Sequence, residues 1–257
     1  MKKLKQMKSI IGSKQILQLI KGQNKNQLHD RCPDVEASLM GQDIYGVRLS
    51  KDGPDVGSIC CLVGHKQNND YLGILTAGHI FNDHKGIRRL PYGIPIFHNG
   101  ESYGHFHEHK YDNLVDLALI QLDKNYPYFS DLEKSLRPFP NIRPATHSDF
   151  EIGDEVIVVS KISSKRSAYV LEKNYTYQTS EVHKLQTIKV GSTSDEQTSK
   201  VVSDDGDSGG CVYLKKNTGE FYFVGMIVGD NRLRFTCVLP ATTIIDFLQN
   251  NSYFVRL

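Results

Sequence analysis

The stretch Gly206-Asp207-Ser208-Gly209-Gly210 places a serine among glycines. Glycine lets a backbone turn sharply and come close to a bound peptide. The backbone N–H groups of Gly206 and Ser208 could then point into one small volume. That is the donor pair an acyl-transfer transition state needs for its negative oxygen. Asp-Ser-Gly also makes ordinary turns, so the pentapeptide alone leaves both readings open. Two further stretches bear on the choice. Leu75-Thr76-Ala77-Gly78-His79 ends an apolar run with a histidine, and Val115-Asp116-Leu117-Ala118-Leu119-Ile120 opens one with an aspartate. A serine hydroxyl is a poor nucleophile until a base takes its proton, and that base is held in one tautomer by an anion on its other ring nitrogen. The chain supplies the three parts in the order His79, Asp116, Ser208.

Together the three motifs resemble those of the trypsin/chymotrypsin-type serine proteases, whose catalytic residues follow in the same order. Leu-Thr-Ala-Gly-His is similar to the family's histidine motif, Asp-Leu-Ala-Leu to its aspartate motif and Gly-Asp-Ser-Gly-Gly to its serine motif. The resemblance spans roughly residues 41–250 and rests on three ordered motifs rather than one. It implies an all-β fold of two packed six-stranded Greek-key barrels closed by a C-terminal helix. It implies a serine endopeptidase in which Ser208 is the nucleophile, His79 the general base and acid, Asp116 the orienting anion, and the N–H groups of Gly206 and Ser208 the oxyanion hole. It implies no cofactor. The substrate would be an extended protein or peptide paired with a strand edge, at about Ile227, Val228, Gly229 and Asp230.

Counting back from Ser208 puts the pocket floor near Val202 or Ser203, where the aspartate of trypsin-like members is missing. Asp204, Asp205 and Asp230 either favour a basic residue from the rim or form a solvated loop, and an apolar or small residue at the cleaved position is equally compatible. Two cysteine positions also depart from the family. Ile80 stands where secreted members carry a bridged cysteine, and Cys211 where the family usually has proline. Ile10-Ile11-Gly12 faintly resembles the N-terminus that animal members create by cleavage to pair with the aspartate before the serine, here Asp207. Its helical surroundings and its long spacing to His79 speak against that use. A basic side chain elsewhere, such as Arg143, is the alternative partner for Asp207.

A formal charge of +2 over 257 residues implies no acidic partner, and nucleic acid is not expected. Short apolar runs punctuated by turn residues point to an all-β barrel or sandwich. The five cysteines, Cys32, Cys60, Cys61, Cys211 and Cys237, form no evident framework, which argues for a reducing compartment. The basic start lacks a convincing secretory signal because Lys8 and Lys14 interrupt the apolar residues. No stretch reaches the ~18–20 apolar residues of a membrane span, and a cytoplasmic protein is expected. Residues 1–29 carry seven lysines and no acid. They read as a docking helix, a disordered tail, or a helix for a membrane surface or nucleic acid. As part of a basic extension over 1–40, they are also where a regulator could act.

The elements that must position the three residues follow in order. A first barrel is expected over 41–125, with strands at Asp43–Leu49, Val56–Val63, Tyr71–Thr76, Ile94–His98 and Leu117–Leu122. A proline-rich connector is expected over 126–150. A second barrel follows over 151–239, with strands at Val156–Val159, Ala168–Leu171, Tyr175–Thr179, Val182–Val190, Ser199–Val202, Cys211–Leu214, Phe221–Val228 and Leu233–Leu239. Pro240 opens a helix with Ile244, Ile245 and Leu248 on one face, within a terminal segment over 240–257. His105, His107 and His109 alternate along a strand, so their imidazoles could share a face and meet a metal. A solvated row of histidines fits as well, and no metal is assigned. An inactive relative used as a binding module or scaffold is the competing function.

Overall fold

The computed structural model of the chain describes residues 46–50, 52, 56–69, 71–82, 89–98, 101–126, 130, 136, 139, 141–161, 164–178, 183–192, 202–231 and 235–257. The basic extension over 1–40, Cys32, part of the proline-rich connector (127–129, 131–135, 137, 138 and 140) and the strand expected at Ser199–Val202, apart from Val202 itself, lie outside these residues.

The first barrel is built from β1 (Gly46–Val47), β2 (Gly57–Ser58), β3 (Cys61–His65), β4 (Leu72–Thr76), β5 (Pro95–His98), β6 (Glu101–Tyr111) and β7 (Asp116–Leu122). Its antiparallel ladder runs β3-β4-β7-β6-β5. An Arg48–Phe97 bridge brings β5 back to β1, and β1 pairs with β2, whose chain leads into β3. The ring closes, which leaves few open edges. Fully buried Ile74, Phe106 and Ile120 share one face of the ladder and Leu75 and Leu119 the other, and Phe81 and Phe106 stack at 4.1 Å between centroids. Burying each such side chain contributes about 1.5–3 kcal/mol.

The second barrel holds β8 (Arg143–Pro144), β9 (Glu155–Ser160), β10 (Ser164–Gln178), β11 (Lys184–Gly191), β12 (Cys211–Lys215), β13 (Phe221–Asn231) and β14 (Phe235–Pro240). The order β12-β9-β10-β11-β14-β13 is closed by pairing of β12 with β13, and β8 adds in parallel beside β13. Alternate β-branched residues fill the interior, among them Val156, Val158, Val170, Ile188, Val190, Val212 and Val238.

The strand expected at Val56–Val63 is divided between β2 and β3, and β8 falls within the expected connector; two further differences are larger. The segments expected at Ala168–Leu171 and Tyr175–Thr179, the latter described as far as Gln178, are parts of one long strand, β10, whose register shifts twice between Val170 and Tyr175. Such bulges bend a strand without ending it. The second difference lies at the C-terminus. Helix α1 (Ala241–Asn250) buries Ala241, Ile244 and Leu248, while Ile245 is only half-buried. The chain then turns at Ser252, with φ +68°, and continues as β15 (Tyr253–Arg256). β15 pairs antiparallel with β3, so the tail leaves the second barrel and becomes an edge strand of the first.

The barrels meet where the chain has no side chain to hold them apart. Gly209 has φ +92°, and a Cβ there would collide with the Ser58 carbonyl and the Thr76 hydroxyl. A Cβ on Gly57 would run into the Ile80 side chain and sit 3.0 Å from the Ser208 carbonyl oxygen. The backbones therefore approach within hydrogen-bond distance, and Ser58 N–H donates to the Ser208 carbonyl at 2.7 Å.

Two outcomes are expected in thermal or denaturant unfolding. The Tyr253 ring packs edge-on against His65 at 5.0 Å and beside Tyr71 at 5.4 Å, and its Oη lies 3.3 Å from His107 Nε2. Tyr253→Ala should cost about 3–5 kcal/mol, as aromatic truncations in cores do, whereas Tyr253→Phe should cost about 1 kcal/mol. Equal effects would show that the ring contributes nothing. Gly209→Ala meets both the backbone strain of a positive φ and the seam collision, and should cost about 3 kcal/mol or more. A variant within 0.5 kcal/mol of the parent would contradict the close approach.

Candidate active site

Each of the three sequence-predicted residues stands at the end of an element on the barrel seam. His79 lies in a 3₁₀ turn (Gly78–Phe81) that begins two residues after β4 ends. Asp116 is the first residue of β7, and Ser208 lies in the turn before β12. Gly78 lets that turn sit on β7, since a Cβ there would come within 2.8–2.9 Å of Leu117 backbone atoms and 3.0 Å of Asp116 Oδ1. The structure brings all three together. His79 Nδ1 is 2.7 Å from Asp116 Oδ2, and His79 Nε2 is 2.9 Å from Ser208 Oγ. The His79 backbone N–H also donates to Asp116 Oδ1 at 2.8 Å, so one buried carboxyl grips both the ring and the main chain of the histidine.

Burial is the largest single influence on His79 and pulls its pKa down. The Asp116 charge and its hydrogen bond together outweigh burial, and the imidazole stands above its ordinary value of 6.5. With Nδ1 against the carboxyl, Nε2 is placed as the acceptor of the Ser208 O–H, the arrangement that general-base activation of a hydroxyl needs.

Gly206 holds φ +93° within the turn, a conformation that favours glycine. Among the described residues no acceptor engages the backbone N–H of Gly206 or of Ser208. The neighbouring groups are engaged: Asp207 N–H donates to the Asp204 carbonyl, Gly209 N–H to the Ile227 carbonyl and Gly210 N–H to the Asp207 carbonyl. Asp207 is fully buried and accepts the Asp204 N–H on Oδ2 at 2.8 Å. Arg143 is not its counter-charge. That guanidinium is exposed on β8 and lies 3.5 Å from Glu220, because the β8–β13 pairing carries it to the outside of the barrel.

The other candidate residues lie as follows. Val202 and Ser203 are buried, and Ser203 Oγ is 2.6 Å from the Thr236 hydroxyl. Asp204 and Asp205 are exposed at the rim, and the side chain of Asp230 lies outside the described residues. Within the expected edge, the Ile227 N–H and C=O already bond to Gly210 and Gly209, which ties β13 to the serine turn. The edge beyond it begins with Val228, at a bulge between Ile227 and Gly229. A Cβ on Gly229 would run into the Tyr177 ring, so this strand is covered by an aromatic side chain from β10.

The three histidines of β6 do not share a face. His105 pairs with Gln121, but a bulge between Phe106 and Glu108 shifts the register, and His109 pairs with Ala118. That parity change turns His109 to the face of Phe106, against whose ring it packs at 6.0 Å, opposite to His105. His107 takes the extra position and faces Tyr253. Burial, foremost, lowers the pKa of both His107 and His109. Among the described residues no group of three or more His, Cys, Asp or Glu could hold a metal.

Cys60, Cys61, Cys211 and Cys237 are buried free thiols. Cys211 Sγ donates to the Cys60 carbonyl at 2.7 Å and lies 3.5 Å from Cys60 Sγ across the seam.

Sequence reasoning passed over Ser58, Thr76 and Tyr177. Ser58 carries no motif, yet it is fully buried and all its polar atoms are engaged. Its Oγ donates to the Gly206 carbonyl at 3.0 Å and accepts the Lys161 N–H at 2.8 Å, while its carbonyl accepts the Thr76 hydroxyl at 2.6 Å.

No family model matches the chain, and no curated protein sequence matches it. Solved structures do resemble it. A Nocardiopsis protease matches with 15% identity over 84% of this chain and 99% of that one, with a TM-score of 0.54. A glutamic acid specific serine protease, described as using a histidine triad in substrate binding, matches with 14% identity over 83% of this chain and 97% of its own, with a TM-score of 0.53. The chymotrypsin of Cellulomonas bogoriensis matches with 16% identity over 85% of this chain and 98% of its own, with a TM-score of 0.51. At such identities the likeness is one of architecture, and the fold of this chain is that of the trypsin/chymotrypsin-like serine proteases.

Proposed function

We propose that the protein is a serine endopeptidase that hydrolyses peptide bonds through an acyl-enzyme. The observation that carries this reading is the single imidazole standing 2.7 Å from Asp116 and 2.9 Å from Ser208. In the proposed reaction Ser208 Oγ attacks the scissile carbonyl carbon while His79 Nε2 takes its proton. The tetrahedral oxyanion is stabilised by the Gly206 and Ser208 N–H groups. Collapse breaks the C–N bond, and the leaving amine receives the proton from His79. Water, deprotonated by the same imidazole, then attacks the ester and regenerates the hydroxyl. Asp116 keeps the ring in the tautomer that leaves Nε2 free to accept.

The substrate in this reading is a protein or peptide in extended form, laid along the edge that begins at Val228 and passes Gly229 and Asp230. Its side chain at the cleaved position enters beside Val202 and Ser203. Neither residue carries a charge, so the pocket is assigned no strict preference for Arg or Lys. The buried free thiols suit a reducing compartment, and a cytoplasmic location is part of the proposal.

A fluorophosphonate probe tests the reading directly. The parent protein should be labelled at Ser208, and Ser208→Ala and His79→Ala should each lower turnover of a peptide library by about 10⁴–10⁶-fold with the fold retained. Retained cleavage by Ser208→Ala would remove the endopeptidase reading, and a folded parent that is never labelled would favour the inactive scaffold. A second expectation follows from the imidazole. His79 must be neutral to accept a proton, and its pKa is raised, so the labelling rate should climb with pH through a midpoint above the ordinary 6.5. A midpoint at or below 6.5 in the pH–rate profile would contradict the Asp116 contact.

A further inference from the structure

We propose that Ser58 is a positioning residue that sets the serine turn of one barrel against the histidine of the other. This rests on the endopeptidase reading. Ser58 lies on β2, in the same barrel as His79 and Asp116. Its N–H holds the Ser208 carbonyl at 2.7 Å and its Oγ–H holds the Gly206 carbonyl at 3.0 Å. These are the two residues whose own N–H groups meet no acceptor among the described residues. One residue therefore grips the carbonyl side of both oxyanion donors.

The grip on Gly206 is the one a side chain supplies. Gly206 has φ +93°, and a glycine can leave that conformation at no steric cost. Pinning its carbonyl fixes the Gly206–Asp207 peptide plane, the plane from which the turn runs on to the Ser208 N–H. The hydroxyl is itself fixed. It accepts the Lys161 N–H at 2.8 Å, which orients its lone hydrogen toward Gly206. The Ser58 carbonyl is held by the Thr76 hydroxyl at 2.6 Å, and Thr76 is the last residue of β4, three before His79. A continuous path of short hydrogen bonds thus runs from the base of the histidine turn through Ser58 to the serine turn. Its middle is shut off from water, since Ser58 and Thr76 are fully buried, while Gly206 is half-buried. A lost partner is not replaced by solvent in such a place, so the freed carbonyl must find another orientation.

The test compares the parent with Ser58→Ala, Ser58→Thr and Thr76→Val, using the fluorophosphonate labelling rate and steady-state hydrolysis of an activated ester. Ser58→Ala should slow labelling by about 10- to 100-fold, below the loss typical of removing an oxyanion donor outright. The ester kcat should fall by a similar factor with KM within about twofold of the parent, because the defect lies in the transition state. The acid midpoint of the pH–rate profile should stay where it is in the parent, since the His79–Asp116 contact is untouched. Ser58→Thr keeps the hydroxyl and should recover most of the rate. Labelling by folded Ser58→Ala within about twofold of the parent overturns the proposal, and so does a loss that appears only in KM. Should Ser58→Ala fail to fold, Thr76→Val decides. It removes one hydroxyl at constant shape, and an unchanged rate overturns the proposal. A parent that is never labelled removes the endopeptidase reading and this proposal with it. A labelled parent with an indifferent Ser58→Ala removes the positioning role alone.

Discussion

The site depends on how closely two backbones can approach. Each barrel is closed and filled with its own side chains, so the barrels touch through what lies at their rims. Where they touch, the chain has removed the Cβ. At Gly209 the missing carbon is the one that would strike the other barrel, and at Gly57 it would run into Ile80 of its own barrel while sitting 3.0 Å from the Ser208 carbonyl oxygen across the seam. There the backbones themselves bond across the seam, Ser58 to Ser208 at 2.7 Å, while within the second barrel Gly209 and Gly210 bond to Ile227, both at 2.8 Å. A hydrogen bond tolerates only a few tenths of an ångström of error. The 2.9 Å separation of His79 Nε2 from Ser208 Oγ inherits its accuracy from these contacts.

The electrostatics of the site follow from the same geometry. Three histidines of the first barrel differ in one respect. His107 and His109 are held below their ordinary values, with burial the main cause. Burial acts on His79 too, yet His79 is raised, because a carboxyl meets its ring at 2.7 Å and its main chain at 2.8 Å. The nearby Asp116 also acts on His109 and does not overcome burial there. Contact, rather than general proximity to an acid, raises one imidazole of the three while the other two are lowered. That contact exists because β7 begins at Asp116 and the 3₁₀ turn rests on it at Gly78.

What could be read in the sequence was chemistry carried by short motifs and strands carried by local pattern. The triad residues, the all-β class and the helix after Pro240 all have signals within a few neighbours. What could not be read depends on separation along the chain. Ser58 looks like any serine in a strand; its partners Lys161 and Gly206 are 103 and 148 residues away. The bulge in β6 cannot be seen in alternation, because one inserted residue leaves the composition unchanged while it puts His109 on the face opposite to His105. Strand β15 is four residues after a helix, too short to show a period, and it forms because β3 offers it an edge. The segments at 168–171 and 175–178, read as parts of two separate strands, belong to one strand, since a bulge resembles a break when only the pattern is seen.

The serine turn shows why the pentapeptide by itself leaves its meaning open. It is closed locally by a reciprocal pair: Asp207 N–H donates to the Asp204 carbonyl, and the Asp207 carboxyl accepts the Asp204 N–H. Aspartate and glycine can build such a turn in any protein. The local pair fixes the shape of the turn, but nothing in it knows where an imidazole lies. Direction comes from the other barrel, through Ser58, and from β13, through Ile227. The shape of the turn is thus local, while the placing of Ser208 against His79 depends on both outside anchors.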